Sequence, residues 1–239
     1  MASGEVAERS SAGMEDVPFP RMAQFLRLLA HDVRNDLNAV DLLTAYIRDI
    51  AAEPGVRGEL DQLRTAIRYG SERMQRLSRA FQNPEPDKFP IPVRVLVENF
   101  QMNLAQASPQ GFERIRWREI PEEGVLSVDA TLLEEVLNEL VENALAFSAE
   151  DAGLEFGVEV AGCGVCFVVE QPAGHALCGD AKEWGRQPFV STRRGHYGLG
   201  LYRARRLVEA LGAGLEFVGE PQRGVLQSRV EFLPEGGVR

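Results

Sequence analysis

Leu133-Glu134-Glu135-Val136-Leu137-Asn138-Glu139-Leu140-Val141-Glu142-Asn143-Ala144-Leu145-Ala146-Phe147-Ser148 decides how the larger part of this chain is read. Its apolar residues recur at three and four, the spacing of one helical face, and Asp129 stands ready as an N-cap, so a helix is expected over 130–147. On such a helix Glu139 and Asn143 are four apart and share a face. A carboxylate there can orient water or a metal, and an amide can coordinate magnesium held between phosphates. Outward from this helix, 93–107 and 200–211 also carry helical spacing, while 114–119, 154–160, 165–169, 215–218 and 227–232 read as strands. Strand and helix do not alternate regularly, which favours a two-layer α/β domain, a mixed sheet with helices on one face.

Ahead of the linker Asn83-Pro84-Glu85-Pro86-Asp87 the pattern is purely helical. Met22, Phe25, Leu26, Leu29, Val33, Leu37, Val40, Leu43 and Ile47 repeat at three and four, Glu53-Pro54-Gly55 breaks the run, and Leu60, Leu63, Ile67, Met74, Leu77 and Phe81 resume it. Two long helices with a short loop form an antiparallel hairpin. One hairpin cannot bury its own apolar stripe, so two chains are expected to build a four-helix bundle as a homodimer. The division expected is a disordered leader at 1–20, the hairpin at 21–83, a linker at 84–91 and the α/β domain at 92–239.

In the middle of the first helix stands Ala30-His31-Asp32-Val33-Arg34-Asn35-Asp36-Leu37. His31 and Asn35 share a face, and Asp32 is within reach of the ring. A largely neutral imidazole is a competent phosphoryl acceptor, and a neighbouring carboxylate fixes its tautomer and takes up its proton on attack. A third string, Gly195-His196-Tyr197-Gly198-Leu199-Gly200-Leu201, precedes the helix at 200–211 and follows Gln187-Pro188-Phe189-Val190-Ser191-Thr192. Glycines before a helix let backbone amides approach a polyphosphate at the positive helix end.

Taken in this order, the three strings resemble the sensor histidine kinases: a dimerisation and phosphoacceptor hairpin, then an ATPase domain of the histidine kinase and Hsp90-like type. The resemblance implies that His31 accepts the phosphoryl group, Asp32 acts as base and Asn35 positions water for the reverse, phosphatase reaction. It implies that Glu139 occupies the general-base position and that Asn143 binds magnesium and phosphate. Gly198 and Gly200 would approach the polyphosphate of ATP. Three departures are visible. Asp36 stands where many members have Pro. Ala146 replaces a basic residue. In Val168-Val169-Glu170-Gln171-Pro172-Ala173-Gly174 the family's Asp-x-Gly-x-Gly, whose Asp bonds the adenine amino group, is matched with Glu170 for Asp, Pro172 for the first Gly and Gly174 for the second.

The implied activity is a two-component kinase that phosphorylates His31 from ATP and passes the group to an aspartate on a response regulator receiver domain. The departures favour an alternative, a histidine phosphotransferase that relays phosphate between receiver domains without ATP. A third reading is a non-catalytic, anti-sigma-like binding protein. A signal would arrive through a separate sensor protein or a missing segment. The net charge of −10 over 239 residues argues against nucleic-acid binding, and the absence of a membrane-length apolar run or a signal peptide places the expectation in the cytoplasm. Cys163, Cys166 and Cys178 lack a second ligand pair and read as buried strand cysteines.

Overall fold

The computed structural model describes residues 19–51, 53–149, 152–162, 164–173, 181–191, 197–220 and 222–233. The expected leader falls almost wholly outside them. The chain divides into two units, Met1–Phe81 and Gln82–Arg239.

The first unit is a hairpin of α1 (Phe19–Ile50) and α2 (Pro54–Ala80). Pro54 opens α2, where its missing N–H costs nothing. Asp36, lacking proline's ring, lets α1 run through the His31 region without interruption. Arg64 Nε donates to Asp41 at 2.9 Å and Arg48 pairs with Asp61 at 2.7 Å, fixing the antiparallel register. The Arg64 hydrogen bond holds the Asp41 carboxyl below the usual carboxylate range. Little of this unit is buried: Ala30, Thr44, Ile67, Ala80 and Phe81. Phe25, Leu42, Leu43, Tyr46, Ile47 and Ile50 stay exposed.

The second unit holds β1 (Phe89–Pro92), α3 (Val93–Ala107), α4 (Pro109–Glu113), β2 (Ile115–Trp117), β3 (Val125–Val128), α5 (Ala130–Phe147), β4 (Leu154–Ala161) and β5 (Gly164–Pro172). A short 3-10 turn at Ala181–Glu183, α6 (Gly200–Leu211), β6 (Gly214–Glu220) and β7 (Val225–Phe232) follow. The main sheet runs β2-β4-β5-β7-β6, parallel between β2 and β4 and antiparallel elsewhere; β1 and β3 form a separate antiparallel pair. This is the expected mixed sheet with helices.

Local chemistry explains the helix ends. Asp129 Oδ1 accepts from the Leu132 N–H at 3.0 Å and caps α5. Gly212 ends α6 in the left-handed region at φ 78°, and the Ala213 N–H closes onto Val208 O at 2.9 Å. Val165, Phe167 and Val169 of β5 pack in one core with Leu96, Phe100, Val136, Leu140, Leu207 and Leu211 from the helices. The opposite face of the sheet is ionic. Arg118 bonds Glu155, Arg229 Nη2 donates to Glu159 at 3.1 Å, and Arg223 Nη2 donates to Glu170 at 2.8 Å.

Candidate functional site

The chemistry-bearing residues form two groups, one in each unit. In α1, the His31 imidazole is exposed, with its Nδ1 3.3 Å from Asp32 Oδ1 and 3.3 Å from Asn35 Nδ2. The two contacts demand opposite tautomers. Asn35 donates to an unprotonated Nδ1, whereas Asp32 accepts from a protonated one. The Asp32 tautomer leaves the Nε2 lone pair free to act as a nucleophile. Asn35 holds the ring when the proton sits on Nε2.

In the second unit, Glu139 and Asn143 lie one turn apart on α5, both half-buried. Glu139 reaches α6: a Cβ added at Gly200 would fall on its Oε2. Gly198 has φ 62°, and a Cβ there would meet the Val190 backbone. Both glycines are therefore required where the chain turns into α6, at the positive end of that helix. Arg205 donates to Trp184 O and lies 5.6 Å over the Phe217 ring, tying the segment after the 3-10 turn to α6. Gly195 and Gly174 lie outside the described residues.

Glu170, which the resemblance matches to the adenine-binding Asp, is engaged on the ionic face of the sheet. Side chains alternate along a strand. Phe167 and Val169 of β5 face the helices, so Glu170 faces the ionic side of the sheet. There its carboxylate accepts from Arg223 Nη2 at 2.8 Å and Gln227 Nε2 at 2.9 Å, with Arg118 Nη2 at 3.5 Å. The polar residue of β5 on the helix-covered face is Gln171, 3% exposed and paired in register with the core residue Leu226. Counting alternation onward from Phe167 would have found it. Arg203 was also missed; it lies on the core stripe of α6, four residues before Leu207, and pairs with Glu135.

Residues 128–235 match the family described as histidine kinase-, DNA gyrase B- and HSP90-like ATPase. That match lies wholly within the second unit. Two solved structures share the fold of this ATPase domain. Full-length ShkA in complex with AMPPNP aligns over 87% of this chain, hairpin included, with a TM-score of 0.68 at 20% identity. The alignment covers 45% of ShkA, so the chain spans less than half of that protein. The catalytic domain of histidine kinase ThkA aligns over 61% of this chain and 95% of its own length, with a TM-score of 0.50 at 18% identity. No curated protein matches the chain. Among the described residues, no helix is long and apolar enough to cross a membrane.

Proposed function

We propose that this chain is a two-component histidine kinase that phosphorylates itself on His31 from ATP and hands the group to a receiver-domain aspartate. The observation that carries this reading is the His31 arrangement, an imidazole with a carboxylate and an amide at one nitrogen, on a hairpin joined to a histidine kinase-type ATPase domain. Nε2 attacks phosphorus, and Asp32 accepts the Nδ1 proton as the ring gains charge. ATP supplies the γ-phosphoryl group and ADP as leaving group.

The ATPase domain fits the polyphosphate end of the nucleotide. Gly198 and Gly200 keep Cβ atoms away from the start of α6, Glu139 stands beside Gly200, and Asn143 follows Glu139 one turn on along α5. Asn143 would hold magnesium together with the phosphates, and Glu139 would take the general-base position. The base end fits less well, because Glu170 is engaged on the opposite face of the sheet. That observation supports the second reading, a phosphotransferase in which His31 relays phosphate between receivers without ATP.

A second copy of the chain supports either reading, since the hairpin leaves Phe25, Leu42, Leu43, Tyr46, Ile47 and Ile50 in solvent and a four-helix bundle would cover them. Incubation with γ-labelled ATP and magnesium tests the choice, with His31→Gln and Asn143→Ala variants alongside. Acid-labile label lost in both variants is the expected result. Absence of label and of nucleotide binding, with label accepted by His31 from a phosphorylated receiver, would establish the relay.

A further inference from the structure

Arg203 is buried on α6, three residues after Gly200, on the stripe that carries Ala204, Leu207 and Leu211 into the core. Its guanidinium reads two elements at once. Nε lies 3.2 Å from Glu135 Oε1 and Nη2 3.4 Å from Oε2, while Nη1 donates to the Gln82 carbonyl at 3.3 Å. Gln82 is the first residue of the second unit, directly after the cap of α2. The segment it opens is pinned further along. Arg206 Nη2 donates to Asn83 Oδ1 at 2.6 Å, the Asp87 N–H to Asp129 Oδ2 at 3.0 Å, and Lys88 Nζ to Leu211 O at 2.7 Å.

The helices held by Arg203 are those that frame the site. Glu135 is four residues before Glu139 on α5, so both project from one face. Glu139 meets Gly200, and Glu135 meets Arg203 one turn deeper along α6. Two rungs thus join α5 to α6, the first at the glycine edge and the second continuing into the linker backbone. Stability alone is a weak reason for this arginine, because apolar residues of similar volume commonly replace buried ion pairs at no loss. A leucine, however, would link α6 to neither Glu135 nor Gln82.

We propose that Arg203 is a positioning residue that couples the Glu139–Gly200 edge to the 82–88 linker, so that a change at the site alters the fastening of the segment leaving the hairpin. The proposal takes that edge to be the functional site of the ATPase domain, but its test needs no nucleotide. Hydrogen exchange of the amides in 83–88 is measured on the full chain. The site is perturbed by Gly200→Ala, which presses a Cβ against Glu139, or more mildly by Glu139→Gln. Arg203→Lys keeps the charge and removes the fork. At least one site variant should speed linker exchange by about 5-fold, the low end of measured coupling between sites. Arg203→Lys should speed it alone, and the double variant should show no further gain. Linker exchange that ignores both site variants, or effects that multiply in the double variant, would overturn the proposal. Failure of ATP labelling would bear on the kinase reading and leave this result standing.

Discussion

Cys166 shows how a single residue's surroundings set its chemistry. Burial within β5 pushes its thiol up to about 11 from an ordinary 9.0. The folded state therefore favours the neutral thiol. Its contribution to stability is whole below pH 9 and is lost as pH rises toward 11. Only the thiolate attacks disulfide reagents. Mapped by mass spectrometry at pH 8, Cys166 should stay unlabelled in native protein and react after urea is added; rapid native labelling would mean that β5 opens. Cys163 and Cys178 lie outside the described residues. Glu170 and Gln171 teach a related lesson, since neighbours on one strand face opposite sides and only one of them looks toward the helices. A motif matched letter by letter selects Glu170, whereas alternation selects Gln171.

Among the elements, α5 depends on one side chain with two tasks. Asp129 caps the helix through Oδ1 and receives the Asp87 N–H on Oδ2. Asp129→Ala should cost about 1 kcal/mol or more for the cap. Urea unfolding followed by tryptophan emission reads this directly, because Trp117 and Trp184 both lie in the second unit; an unchanged midpoint would show that water replaces the cap. The helices were legible in sequence, with α3, α5 and α6 running over the residues that apolar spacing and caps marked. Phe89–Pro92 was not, because Pro90 and Pro92 argue against a strand. It forms in a two-stranded sheet, where a proline can leave its missing donor on the unpaired side. Likewise β5 runs past the expected end at Val169 to Pro172, where Arg223 and Gln227 satisfy the Glu170 carboxylate.

For the whole molecule, the two units reach stability by different routes. The second buries a continuous core between helices and sheet, while the hairpin buries few side chains and shows a row of apolar ones. If the proposed four-helix bundle forms, Leu42→Glu, at a position 73% exposed, should leave the helices intact and halve the mass seen in sedimentation; an unaltered mass would count against this face as its seam. Sheet order also sets a timetable. β7 is the last strand of the sheet, yet it lies between β5 and β6. During synthesis the hairpin's neighbouring helices can pair as soon as they emerge, whereas the sheet must wait for Phe232 before its interior strand is in place. A ribosome paused before that point would hold a finished hairpin and an α/β domain whose β6 has no strand to pair with.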